Sequence, residues 1–292
     1  MVDPEFLRPA SVAEAIGMLA GGEATVMAGG TSVGLLIGQG LIEADCLVWL
    51  SGIEGMAAIT PVPGALRIGA GATLRQVAAH PGVRAVAPAV AAAAGCVGNP
   101  RVRAVATVGG ALVHADPRQD LPPALAACGA EAEIVGPRGS RRVAVSDLAT
   151  GFLETVVAPD ELLTAVDLPT AARSSSIYFR YTPGSVADFP TVAVAAAAVW
   201  SDDDRLVSLR LVLGGVASTP LVVPEAAQLA GADDPHARIA DVAAAARTRS
   251  DPVSDRLGSA GYKREMAAVW AERALLACLA PPGTAGQLSG AG

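Results

Sequence analysis

Apolar positions follow two rhythms along the chain. Between 11 and 19, Val12, Ala15, Ile16 and Leu19 fall on one face of a 3.6-residue period, Ser11 and Glu14 stand at capping-box spacing, and Gly21-Gly22 follows, which predicts a first helix. A short strand at 24–28 comes next, and 46–50 is apolar almost throughout, as in a strand buried on both faces. This opening reads as a small α/β unit. A second unit starts near 53, with strands at 57–59 and 66–70 around a turn at 61–64. Thr73 and Gln76 cap a helix that Pro81-Gly82 interrupts, and a further helix spans 85–94. Asn99-Pro100 marks a turn, and 105–108 reads as a strand. A helix at 121–128, a hairpin of 132–135 with 142–145, and a strand at 162–168 complete this part. The small polar segment 170–176 reads as a linker. Strands at 177–182, 191–200 and 205–214 follow, then helices at 224–230, 236–246 and 260–279. Strands followed by helices give an α+β class.

Composition narrows the class. Of the 292 residues, 52% are hydrophobic but only 3% are aromatic, so the core packs through small side chains such as Ala and Val. The longest Ala-rich run, 83–95, falls short of the roughly 20 residues that cross a bilayer, so no membrane span is expected. The first eleven residues carry acids and prolines where an export signal needs a basic start and an apolar core. With four cysteines scattered singly, they predict a cytoplasmic protein with reduced core thiols. A formal charge of −7, from 28 acids against 21 bases, disfavours a nucleic-acid partner. The Gly-rich stretch 281–292 reads as a disordered tail.

Two segments carry paired glycines. In 104–122, AVATVGGALVHADPRQDLP, the strand runs into Gly109-Gly110, and Pro117, Asp120 and Pro122 announce a helix start. In 28–34, AGGTSVG, a strand runs into Gly29-Gly30 and then the hydroxyls of Thr31 and Ser32. Paired glycines let the backbone bend sharply and leave consecutive N–H groups free for phosphate oxygens, although an ordinary turn accounts for any one pair. Two such loops suggest one long ligand clamped from both sides. Neither nucleotide fingerprint fits: 29–34 lacks the P-loop lysine, and Gly69-Ala70-Gly71 lacks a third Rossmann glycine. His114 and Asp116 stand where a general base would, or His114 braces the loop by hydrogen bonding. Asp120 is open to three roles: a carboxylate pair with Asp116, an N-cap, or a partner for a ribose hydroxyl. His80 and His236 read as surface residues, and Trp49, Trp200 and Trp270 as core. No Ser-His-Asp set, metal cluster or activated cysteine is visible, so no catalytic residue and no metal ligand is assigned.

The segments FLRPASVAEAIGMLA, VMAGGTSVGLL, LRIGAGATLRQVA, VGNPRVRAVATVGGALVHADPRQDLPPALAACGA and LRLVLGGVASTP follow one another over about 5–280. In this order the chain resembles the FAD-binding medium subunits of molybdenum hydroxylases, the group of carbon monoxide dehydrogenase and bacterial xanthine dehydrogenase. The resemblance implies a vanillyl-alcohol-oxidase-like (PCMH-type) FAD-binding domain of two α/β subdomains, here 1–52 and 53–173. A C-terminal domain of three antiparallel strands with helices would follow at 177–280. It further implies that Ala28, Gly29, Gly30, Thr31, Ser32, Val33 and Gly34 face the FAD pyrophosphate from one side. Thr107, Gly109, Gly110 and Ala111 would face it from the other, with Ala111 standing where Asn or Ser is common. His114 and Asp116 join the cofactor-binding set, Asp120 lies near the ribose and Leu162 by the adenine. Arg180, where Lys is frequent, and Asp188 approach the flavin.

The implied function is that of an oxidoreductase subunit. FAD in this chain would take electrons from two [2Fe–2S] clusters of a small partner, while a large partner holds the molybdenum–pterin cofactor, with two copies of each subunit in a heterohexamer. Two other readings stand beside it: a separate FAD oxidoreductase with its own substrate pocket, and a binding or assembly protein of this fold without FAD. The substrate and the final acceptor are not legible.

Overall fold

The computed structural model describes residues 4–22, 24–185 and 188–280. The tail expectation for 281–292 lies outside the described residues. Helix α1 (Val12–Leu19) starts as its sequence dictates: Ser11 Oγ accepts the Glu14 N–H at 3.1 Å. The Glu14 carboxylate returns to the N–H of Ala10, at 2.7 Å, one residue before the cap. Strands β1 (Glu5–Leu7), β2 (Thr25–Met27) and β3 (Cys46–Trp49) form a parallel sheet in the order β1-β3-β2. Parallel neighbours need crossovers, and α1 and the short α2 (Val33–Gly38) supply them.

The second unit is built on an antiparallel sheet. The first hairpin, β4 (Ile59–Val62) with β5 (Ala65–Gly69), turns at Pro63-Gly64, so the strand expected at 57–59 lies further along the chain. Pro61 is tolerated because β4 is an edge strand. Helix α3 (Leu74–Ala79) has the full capping box of Thr73 and Gln76. The helix expected at 85–94 is two, α4 (Pro81–Val86) and α5 (Pro88–Cys96), because Pro88 pushes Ala87 out of the helical region, to φ −144°.

Asn99 is the N-cap of α6 (Pro100–Val105), accepting from Arg101 and Val102 N–H at 2.9 and 3.1 Å. The strand expected at 105–108 is absent. A single bridge between Thr73 and Thr107 separates α6 from α7 (Val108–His114), whose N-cap is Thr107. Valine-rich propensity there yields to capping. Helix α8 (Leu121–Ala127) is buried along its length. The hairpin of β6 (Glu131–Gly136) and β7 (Gly139–Ala144) and the small pair β8 (Ala149–Gly151) and β9 (Glu154–Thr155) follow. Strand β10 (Leu162–Pro169) closes the sheet order β4-β5-β10-β6-β7.

The last sheet has four antiparallel strands rather than three: β11 (Ser174–Tyr181), β12 (Val192–Trp200), β13 (Leu206–Gly214) and the two-residue β14 (Leu221–Val222). Strand β11 begins inside the segment expected to be a linker. Residues 224–229 form a 3₁₀ turn rather than an α-helix, ahead of α9 (Ile239–Arg249) and α10 (Ala260–Leu279). Successive side chains on a strand face opposite ways, and here both faces are covered. Tyr178, Ala193, Ala195 and Val212 join the core under α5, α8 and β10. Val194, Ala196, Ala198, Leu211 and Leu213 join a second core with α9 and α10.

Close main-chain packing makes a contrast between two glycines. A Cβ at Gly69 would lie 2.2 Å from the Met56 carbonyl oxygen, whereas nothing lies within 4 Å of one at Gly17 in α1. Gly69→Ala is expected to destabilise the chain by about 1–3 kcal/mol, and Gly17→Ala to stabilise it by roughly 0.5–1 kcal/mol. Urea midpoints of the two variants, measured against the parent, check both signs.

Candidate functional site

Strand β2 delivers the chain into the first glycine loop beside β3, where Trp49 Nε1 donates to the Ala28 carbonyl at 3.2 Å. Gly30 takes the left-handed conformation, φ +70°, and Gly34 N–H closes the turn on the Gly30 carbonyl at 2.9 Å. Among the described residues, the N–H groups of Gly29, Gly30, Thr31, Ser32 and Val33 meet no acceptor of the chain. Ser32 makes no side-chain cap bond, and the Thr31 side chain is exposed. The loop therefore presents five main-chain donors and two hydroxyls, the donor chemistry an anionic oxygen takes.

The second glycine loop is different. It is the first turn of α7, and its donors are spent inside the protein. Val108 N–H donates to Ala72, Gly109 to Ala70 and Ala111 to Thr107, at 3.0, 2.8 and 3.0 Å, and Gly110 N–H donates to Thr107 Oγ1 at 3.1 Å. The expectation that these N–H groups stand free is corrected: α7 is laced onto 70–74. The loop's part is structural closeness. A Cβ at Gly109 would lie 2.8 Å from that of Ala70, and one at Gly29 would lie 1.9 Å from the Val105 carbonyl oxygen. The first loop thus meets the main chain at the end of α6, just before α7, while α7 itself packs on Ala70.

Helix α7 ends at Ala115, in the left-handed region at φ 49°, whose carbonyl accepts from Leu153 N–H at 3.2 Å. Asp116 is buried and held by Arg118, through Nε at 3.0 Å, Nη2 at 2.7 Å and the main-chain N–H at 2.9 Å. Burial pushes the Asp116 carboxyl up, but these bonds outweigh it and hold it below the usual range. The half-buried His114 makes no side-chain hydrogen bond among the described residues, so the bracing role is not realised. Burial lowers its pKa, opposed in part by Asp116.

Asp120 stands at the N-cap position of α8 without capping it through its side chain, and it is not paired with Asp116. It is 3% exposed; its Oδ1 accepts the Tyr178 phenol at 2.5 Å and is ion-paired with Arg180 Nε at 3.1 Å. Arg180 Nη1 also donates to the Cys96 carbonyl at 2.8 Å and Nη2 to that of Asp188. Leu162 is buried at the start of β10, within the first core. His80 is half-buried rather than on the surface. Cys128 and Cys278 are held by burial near pKa values of about 12 and about 11, inert as thiols.

The sequence pattern described as "FAD binding domain in molybdopterin dehydrogenase" matches residues 2–171, and "CO dehydrogenase flavoprotein C-terminal domain" matches 177–278. The chain belongs to the FAD-binding medium-subunit family of the molybdopterin hydroxylases. It is 30% identical over 274 residues to the carbon monoxide dehydrogenase medium chain of Afipia carboxidovorans, covering 93% of this chain and 95% of that one. It is also 30% identical over 229 residues to the xanthine dehydrogenase FAD-binding subunit of Escherichia coli O157:H7, covering 77% and 78%. A solved structure of reconstituted CO dehydrogenase from Oligotropha carboxidovorans superposes with a TM-score of 0.90 at 29% identity, covering 95% of this chain and 98% of that one. As an FAD-binding medium subunit the protein is an oxidoreductase flavoprotein, and its α+β architecture is that of the family.

Sequence reasoning missed three participants. Gly69-Ala70-Gly71, set aside as an incomplete Rossmann turn, is the surface α7 packs on, and its paired glycines were the signal. Tyr178 carried none, because a tyrosine in an apolar strand reads as core. Arg118 stood two residues from Asp116 as one of many exposed charges.

The lowered His114 pKa has a sign for stability. Between the folded and unfolded values the unfolded chain binds the extra proton, so the native state loses stability as pH falls through about 6.5. His114→Gln removes that linkage. The parent is expected to lose more stability than the variant between about pH 7.5 and about pH 5, read from urea midpoints at each pH.

Proposed function

We propose that this chain is the FAD-carrying electron-transfer subunit of a heteromeric molybdenum-containing hydroxylase. When bound, FAD would supply the redox centre that takes electrons from two [2Fe–2S] clusters of a small partner and yields them to a final acceptor. The large partner would hold the molybdenum–pterin cofactor, with two copies of each subunit. The observation that carries this reading is the open donor set of the first loop, which packs on the main chain of Val105 just ahead of a second loop whose own donors are spent. The N–H groups of 29–33 with Thr31 and Ser32 would hold the pyrophosphate. The small residues Gly109, Gly110 and Ala111 would let it approach, and Asp120 and Arg180 would stand toward the ribose and flavin side.

A further observation supports a carrier within a complex. Helix α2, directly after the first loop, buries none of its residues, and Leu35 and Leu41 are 58% and 66% exposed. Apolar surface of that kind suits a subunit contact. No helix among the described residues is long and apolar enough to cross a membrane.

Purification from the native source without dissociating partners tests the assignment. Flavin absorbance, iron–sulfur absorbance, molybdenum and two further polypeptides are expected together. A lone flavin-bearing chain that turns over a substrate would overturn the heteromeric reading. The cradle itself is tested by Gly29→Ala, whose Cβ cannot coexist with the Val105 carbonyl. The FAD dissociation constant is expected to rise by at least about tenfold, measured by titrating the flavin-free chain while thermal unfolding confirms that it is folded. An unchanged constant would remove the first loop from the cradle.

A further inference from the structure

The buried cluster at the start of α8 contains one carboxylate and two β11 side chains, two residues apart on one strand face. Both reach the same oxygen: the Tyr178 phenol at 2.5 Å and Arg180 Nε at 3.1 Å from Asp120 Oδ1. Tyr178 is 7% exposed and Asp120 is 3% exposed. The Arg180 guanidinium is then fixed on two further sides, by the carbonyl of Cys96 at the end of α5 and by that of Asp188. Burial, with Asp120 beside it, keeps the phenol protonated far above the ordinary range, so Tyr178 is the donor and Asp120 the acceptor.

We propose that Tyr178 is a positioning residue for the cofactor site: its phenol fixes the Asp120 carboxylate, and that carboxylate fixes the Arg180 guanidinium toward the flavin side. The inference rests on the FAD reading above. Arginine has a long side chain with several free torsions, and a buried carboxylate with a single partner can rotate. The phenol's hydrogen bond on the oxygen that is ion-paired with Arg180 Nε opposes that rotation. Tyrosine suits the task because its ring packs in the first core while its hydroxyl emerges at the carboxylate. The competing account is a clamp that merely ties the last sheet to α8, and it predicts an effect on stability alone.

The test titrates FAD into the flavin-free full chain and follows flavin fluorescence, the visible flavin spectrum and thermal unfolding. The variants are Tyr178→Phe, Asp120→Asn and the double variant. Tyr178→Phe keeps the ring, and Asp120→Asn keeps the shape of the acceptor. Positioning predicts that each single change raises the dissociation constant by about tenfold and shifts the flavin spectrum. The double variant should be no weaker than Asp120→Asn alone, since both act along one chain of contacts. Lowered unfolding temperatures with the parent's FAD affinity and spectrum would overturn the inference and leave only a clamp. Additive losses in the double variant would overturn the serial arrangement. A parent chain that takes no FAD would instead sink the flavoprotein reading, so the two failures are distinct.

Discussion

At three glycines two stretches of main chain meet where a side chain would otherwise stand, and the geometry of the site depends on these contacts. Gly29 lies on the Val105 carbonyl, Gly69 on that of Met56, and Gly109 on Ala70. The contacts of Gly29 and Gly109 join segments far apart in sequence, and that of Gly69 closes the shorter stretch back to Met56. Together they bring the parallel first sheet, the antiparallel second sheet and the first turn of α7 to one place. Main-chain contact at this distance is dispersion and hydrogen bonding without side-chain entropy, so it is rigid as well as close. A cradle for a polyanion needs that rigidity, because donors that must be ordered on binding give up part of their effect.

The small side chains that dominate the composition serve the same end on a larger scale. Strand β12 reads VAVAAAAVW, and its alternate residues enter two different cores. Alanines let α8 and α5 approach one face while α10 approaches the other. At the end of the same face, Gly214 leaves room for Pro123, whose ring would lie 3.2 Å from an added Cβ. Only because the sheet sits this close can Tyr178 and Arg180, on the neighbouring strand, reach the carboxylate at the head of α8.

The legible part of the sequence was what local chemistry decides. Ser11 and Thr73 cap where their spacing says, Gly129 ends α8 with φ +70°, and the 3.6-residue and alternating rhythms recover most elements. What escaped was decided by competition or by distance. Residues 105–108 carry β-branched side chains, yet Thr107 serves as a cap, and a hydroxyl on an otherwise unmet N–H outweighs strand preference. Strand β14 has only two residues and no rhythm to read. The Asp120 cluster is non-local, joining residues 58 apart, and no spacing rule points from a carboxylate to a tyrosine on another element.

The donor accounting gives the two loops different work. In the first, five N–H groups meet no acceptor among the described residues; in the second, each N–H from Val108 to Ala111 is already bonded. A loop whose donors are satisfied contributes shape, and a loop whose donors are open contributes binding. This division bears on Ala111, where the resemblance leads one to expect Asn or Ser. Its main-chain N–H is spent on Thr107, and its methyl group offers no replacement donor, so the second loop can add no hydrogen bond there. On the proposed FAD reading the first loop would then carry the polar share of the contact, with the greater sensitivity at Gly29 to Val33 and α7 fixing the spacing through its packing on Ala70.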